Sequence, residues 1–124
     1  MSMLLAKNFV AGAIIPAFTL VKFGADDSTV VPAAAVSDLI IGATMEVPAA
    51  LGERVDVQLI GTAYVVAGAA AVRGTLATSD ASGRAVTAAP VAGTNNNVAG
   101  RFLESASAAG DVVRVLLNPG SVQG

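Results

Sequence analysis

The sequence predicts an all-β protein, a small antiparallel β-barrel or sandwich with at most a short helix. Polar and apolar residues alternate from Arg54 to Leu59, which is the pattern of a strand with one buried and one solvent-exposed face. Short β-branched runs are separated by turn residues at roughly ten-residue spacing, as in sandwiches and small barrels. No long window shows an amphipathic stripe with helix caps. Together these observations favour one small β-rich domain.

The first part of the chain predicts an N-terminal apolar arm or first edge segment over residues 1–17, followed by a single β-rich domain over residues 18–124. Lys7 and Asn8 interrupt the apolar run, which argues against a signal peptide. The best short helix candidate is 31–37, where three alanines follow Pro32, and a turn of helix at 49–51 is a second. Strands are predicted at 18–23, 29–31 and 39–43.

The middle of the chain predicts a strand over 54–60 that resumes at 64–66, with Gly61 as a bulge or a break. A hairpin follows within 74–87. Its turn over 79–84 has Asp80 at the start of a type I turn and Gly83 at a position of positive φ.

The end of the chain predicts a second hairpin, with strands at 101–104 and 112–117. Gly110 suits the turn between them, and the sequence Asn118-Pro119-Gly120 is expected to end the last strand. Before this hairpin, Asn95, Asn96 and Asn97 are interpreted as a tight turn, or else as an exposed loop at an interface.

Composition excludes several kinds of chemistry. The 124 residues include no histidine and no cysteine, so disulfides, Cys- or His-based metal sites and Ser-His-Asp or Cys-His catalysis are excluded within this chain. Its formal charge of −2 and seven scattered Lys and Arg residues do not form the basic stripe of a nucleic-acid binder. No apolar run reaches the roughly 20 residues of a membrane span. We expect no enzyme, no cofactor, no nucleic acid and no membrane partner.

The low charge leaves two interpretations of the surface. Only 13% of residues are charged, so much of the surface must be Ala, Val, Gly, Thr and Ser. That surface is either an ordinary alanine-rich exterior or one that is covered by copies of the chain or by another protein. Four arginines are plausible contacts, although each also fits the solvated face of a strand: Arg54, Arg84, Arg101 and Arg114.

Acidic turns give no convincing metal site. The run from Asp26 to Thr29 could bind a cation, and the turn from Asp80 to Gly83 superficially resembles a fragment of a calcium loop. The second lacks the further oxygen ligands and the closing glutamate of a calcium loop. Both are interpreted as turns.

Three stretches in order resemble the small capsid decoration, or cement, proteins of tailed bacteriophages. They are the alternating strand of 52–63, the corner and hairpin of 69–86 with Ser79-Asp80 and Gly83-Arg84, and the two strands of 98–117 joined through Ala108-Ala109-Gly110-Asp111. The resemblance covers the last 75 or so residues well and the first 50 loosely.

The resemblance implies a small β-rich protein without catalysis or cofactor. It implies a homo-oligomer, with a trimer favoured over a dimer, that is made in the host bacterial cytoplasm. In the virion it would bind the major capsid protein on the outer surface of an expanded icosahedral head and reinforce the shell. Candidate contact residues are Met3, Leu4, Leu5, Phe9 and Val10 in the arm, Asn95, Asn96 and Asn97, and Arg101.

A rival hypothesis is a small carbohydrate-binding or adhesin-like module on a virion fibre, which shares the strand pattern. Such a module would be expected to carry surface aromatics or a calcium site. Tyr64 is the only tyrosine and there is no tryptophan. Glycan binding by the purified protein would distinguish the two hypotheses.

Overall fold

A computed structural model describes residues 5–123 and shows an all-β architecture, which confirms the predicted fold class. Nine strands are present in the described chain: β1 (Leu5–Ala11), β2 (Leu20–Phe23), β3 (Thr29–Pro32), β4 (Gly42–Thr44), β5 (Arg54–Val66), β6 (Leu76–Ser79), β7 (Ala85–Thr87), β8 (Asn95–Phe102) and β9 (Val112–Gln123).

The first five strands close into a barrel. Their order is β1-β3-β2-β4-β5, and β1 also pairs with β5. All pairs in this barrel are antiparallel except β1–β3, which is parallel. The barrel interior holds a core that includes Phe9, Ile15, Val21 and Val57.

A second sheet, in the order β5-β9-β8-β6-β7, packs one face against the outside of the barrel. Leu20 from the barrel shares this second core with Val65, Phe102 and Val115 from the sheet. The two layers are also joined by a hydrogen bond from the Leu20 N–H to the Gly83 carbonyl, at 2.8 Å.

Strand β5 belongs to both layers and is continuous. Its first half pairs with β1 and β4, and from Gly61 to Val66 it pairs with β9. Gly61 has a φ of +101°, which glycine adopts without the steric cost that a side chain brings. The residue predicted as a bulge or break is therefore where the strand changes partners.

The predicted hairpins are present, but the predicted helices are not. β6–β7 and β8–β9 form at the expected places, with positive φ at Gly83 and Gly110. Residues 31–37 and 49–51 contain no helix. In the first segment the Ala33 N–H binds the Leu20 carbonyl and the Ala34 N–H binds the Asp38 carboxylate, so these donors are used outside a helix.

The last strand does not end at Asn118-Pro119-Gly120, which corrects the prediction. β9 continues to Gln123 because β8 pairs with it along this extension, with a register shift between Val98 and Gly100. Pro119 lies within this irregularity on β9, a position that tolerates the missing N–H of proline.

Candidate assembly surfaces

The N-terminal candidates fall on different parts of the molecule. Met3 and Leu4 lie outside the described residues, and Leu5 is exposed on β1 opposite Ile60. Phe9 is only 2% exposed and packs in the barrel core, while Val10 is half-buried. Residues 5–11 are strand β1, which pairs with β5 along its length and with β3 at its end. Phe9 is therefore not an accessible contact.

The asparagine run is a strand, not a turn or a loop, which corrects the prediction. Asn95, Asn96 and Asn97 open β8 and pair with residues 121–123 of β9. Asn96 is only 4% exposed. The Asn97 side-chain amide donates to the Ser37 carbonyl at 2.8 Å. These long-range partners outweigh the weak strand preference of asparagine.

The backbone hydrogen bonds of Asn97 determine the direction of the N–H and carbonyl of Ser121, its cross-strand partner. Its N–H donates to the Val36 carbonyl at 2.7 Å and its carbonyl accepts from the Thr78 hydroxyl at 2.6 Å, both away from β9. In an antiparallel pair, residues that point away from the shared ladder face each other as a non-hydrogen-bonded pair. Ser121, opposite Asn97, therefore directs its own N–H and carbonyl away from β8.

This arrangement leaves β9 with an open edge over residues 118–123, which we call the β9 edge. β5 pairs with β9 only up to Leu117, whereas β8 pairs with it up to Gln123. Among residues 5–123 no backbone hydrogen bond reaches the Ser121 N–H from outside the ladder. Pro119 carries no N–H, which is typical of edge strands that avoid indiscriminate pairing.

A second surface lies on the side of β5, β9 and β8 that faces away from the core. Cross-strand pairs set it out in rows: Thr62, Leu116 and Arg101 in one row, and Tyr64, Arg114 and Leu103 in the next. Tyr64 is 54% exposed and contacts the Phe18 ring edge-on, with centroids 6.3 Å apart. We call this surface the outer face; it also includes Val112 and its cross-strand neighbour Val66.

The outer face carries two arginines with different partners. The Arg114 guanidinium contacts the Glu104 carboxylate at 3.1 Å, and the Arg114 backbone N–H donates to the same oxygen at 2.9 Å. These backbone and side-chain hydrogen bonds lower the pKa of Glu104. Arg101, a predicted contact residue, is exposed and donates to the Gly74 carbonyl. No acidic side chain in residues 5–123 forms a salt bridge with it.

The other predicted arginines and acidic turns have local structural roles. Arg84 pairs with Asp80 across the β6–β7 turn at 2.9 Å, and Arg54 donates to the Asn8 side chain. Asp26 accepts the Ser28 N–H. The described chain contains no cluster of three acidic, His or Cys residues that could hold a metal ion, and no helix able to cross a membrane.

Sequence reasoning missed the outer face as a unit. Its signal is present in the sequence, because Tyr64 and Leu116 occupy the outward phase of their strands, where polar residues are expected. The pairing of β5 with β9, which brings these phases together, is not visible in either strand alone.

Comparison with known proteins gives two findings. A family model described as phage cement protein matches residues 5–117. A crystal structure of the head fiber gp8.5 N base of bacteriophage phi29 superposes with a TM-score of 0.70 at 19% identity, covering 94% of this chain and 95% of that chain. At this identity the likeness shows the fold alone. No curated protein matches the sequence significantly.

Proposed function

This chain belongs to the phage cement protein family, and from that premise we propose that it decorates the outer surface of an expanded icosahedral head and stabilises the shell by bridging capsid subunits. As a member of this family it is a structural protein of the phage virion. The observation that carries the finer proposal is the open β9 edge in a cement protein. The proposal includes no catalytic step, in keeping with a chain that has no histidine or cysteine.

The β9 edge supplies main-chain groups for pairing with a strand of the major capsid protein. Adding a strand to an open edge gives affinity through backbone hydrogen bonds, while side chains on the strand select the partner. Ser121 offers an outward N–H and carbonyl, and Asn95 is exposed on the neighbouring strand. The interruption at Pro119 limits pairing to a short segment, which reduces association with unrelated edges.

Oligomerisation would multiply a weak contact. A trimer that engages several capsid subunits at once converts the later contacts into intramolecular events with a high effective concentration. Each edge contact can then be weak by itself, while the oligomer as a whole binds the shell tightly. We favour a trimer over a dimer, as the family resemblance implies.

The test compares two variants at one position. Ser121→Pro removes an N–H that points away from the β8–β9 ladder, so the fold is expected to remain. Ser121→Ala removes the hydroxyl and keeps the N–H. In sedimentation with expanded heads of the parent phage, we expect the proline variant to lose binding at least tenfold and the alanine variant to bind as the wild type does.

Two results would contradict this use of the edge. One is a proline variant, folded by circular dichroism, that binds heads as tightly as the wild type. The other is loss of binding in both variants, which would assign the contact to the hydroxyl and not to main-chain pairing.

A further inference from the structure

The two layers of the protein carry opposite charge. Up to residue 60, which includes the barrel strands, the chain has three basic and six acidic side chains, a net charge of −3. From residue 61 onward, which includes most of the second sheet, it has four arginines and three acidic side chains, a net charge of +1. The net charge of −2 is therefore divided unevenly, with an excess of acidic residues in the barrel part and a small excess of basic residues in the rest.

An exposed apolar patch lies in the acidic region, where Ile15 and Ala49 form an isolated antiparallel bridge. Both backbone hydrogen bonds of this bridge measure 2.9 Å. Because side chains alternate across such a bridge, its flanking residues face outward, and all four are exposed and apolar. We call these the barrel-end patch: Ile14, Pro16, Pro48 and Ala50.

Acidic and apolar neighbours extend the barrel-end patch. Ile14 is 75% exposed, and Val47 and Leu51, which adjoin the patch residues Pro48 and Ala50 in the chain, are exposed large apolar residues. Glu46 and Glu53 flank them in the chain and are both exposed. Glu53 accepts the Ala50 N–H at 2.6 Å, which fixes its carboxylate next to the patch. Within residues 5–123 neither glutamate forms a salt bridge.

We propose that the outer face of one copy binds the barrel-end patch of a second copy, in a head-to-tail contact. This inference rests on the proposed homo-oligomer and names the two surfaces that build it. The outer face offers apolar Tyr64 and Leu116 beside the unpaired charge of Arg101. The barrel-end patch offers apolar Ile14, and its second segment lies between Glu46 and Glu53 in the chain, where two glutamates outnumber the neighbouring Arg54. Apolar area and opposite charge therefore match between the two surfaces.

Charge favours this contact over the outer face pairing with itself. Two outer faces would bring the unpaired Arg101 of one copy towards that of the other, and like charges at an interface are unfavourable. Two barrel-end patches would bring glutamates together in the same way. A head-to-tail contact uses two different surfaces and repeats from copy to copy, so it closes into a ring when the rotation permits.

The available surface is sufficient for such a ring. A specific interface covers about 800 Å² on each partner, so two interfaces per copy would cover about a quarter of the 6348 Å² surface. The β9 edge belongs to neither patch and stays available for another partner.

The test uses one variant for each surface. The outer-face variant carries Arg101→Glu and Leu116→Asp, and the barrel-end variant carries Ile14→Asp and Glu46→Arg. All four positions are exposed or edge-facing, so the fold is expected to remain, and circular dichroism checks it. Should the outer-face variant fail to fold, Arg101→Ala alone replaces it, because this side chain is exposed and its only hydrogen-bond partner in the described residues is the Gly74 carbonyl.

Sedimentation velocity without any heads measures the assembly. We expect the wild type to form a discrete oligomer and each variant alone to associate at least tenfold more weakly. An equimolar mixture of the two variants keeps one intact pair of surfaces, so it is expected to form heterodimers and nothing larger.

Three outcomes would overturn the inference. They are a wild type that is monomeric at every concentration, a barrel-end variant that assembles as the wild type does, and a mixture that stays monomeric. Because no heads are present, head binding measured separately on the same proteins shows whether the proposed function survives. If the protein binds heads but fails this test, only the proposed head-to-tail contact is refuted, and the proposed function remains.

Discussion

Substituting Gly83 by alanine tests how the barrel and the second sheet are joined. Gly83 has a φ of +75°, and an added Cβ would lie 2.6 Å from the Thr19 methyl and 2.9 Å from the Leu20 carbonyl oxygen. Its own carbonyl accepts the Leu20 N–H that links the two layers. The substitution therefore strains the backbone and also pushes the layers apart.

Gly110 provides the matched control. Its φ is +96°, but an added Cβ there meets nothing within 4 Å. Gly110→Ala therefore reports the left-handed backbone cost alone, about 1–2 kcal/mol. Gly83→Ala adds an overpacking cost of about 1–3 kcal/mol, for a total of about 2–5 kcal/mol.

Urea denaturation followed by circular dichroism measures both variants. We expect Gly83→Ala to lower the free energy of unfolding by at least about 1 kcal/mol more than Gly110→Ala does, at an unchanged m-value. Equal losses in the two variants would contradict this expectation, because they would show that the contact between Gly83 and the barrel contributes nothing beyond backbone strain.

Three further outcomes follow from burial and charge. Phe102→Ala, at a fully buried ring, should cost about 3–5 kcal/mol in denaturant unfolding, whereas Phe23→Ala, at a ring 50% exposed, should cost clearly less. Thr44→Val should cost about 1–3 kcal/mol in the same assay, because the Thr44 hydroxyl accepts the Thr19 N–H at 2.9 Å in a buried position. Hydrogen bonds from the Ser107 hydroxyl and backbone lower the folded-state pKa of Asp111. The stability that this lowered pKa gives is present above the unfolded pKa and is lost as the pH falls through the folded pKa. Because the chain has no histidine, the melting temperature should stay nearly constant from pH 8 to about pH 5. It should decrease below about pH 4. Asp111→Asn should reduce that acid dependence.

Local turn chemistry was sufficient to predict the hairpins. Asp80 and Gly83 define the β6–β7 turn through their own side chain and backbone conformation, and the structure forms it there. The alternation around Val55 and Val57 likewise places both residues in the barrel core. These signals depend on residues that are neighbours in the sequence, so they can be recognised without knowledge of the fold.

Features that depend on distant partners were not predictable in this way. Asn97 is held in a strand by Val36, Ser37 and Thr78, none of which is near it in the chain. The parallel β1–β3 pair and the burial of Phe9 also arise from barrel closure. The sequence predicts Arg101 as a contact candidate, but the apolar outer face around it forms only when β5, β9 and β8 pair.

We propose that this cement protein recognises the expanded shell. The most direct measurement mixes the purified wild-type protein with expanded and with unexpanded heads of the parent phage and sediments both. We predict saturable co-sedimentation with expanded heads only, with a plateau that gives the number of copies per head. Binding to neither form would contradict the proposed capsid role and favour a small binding module on a virion fibre, for which glycan binding is the next assay.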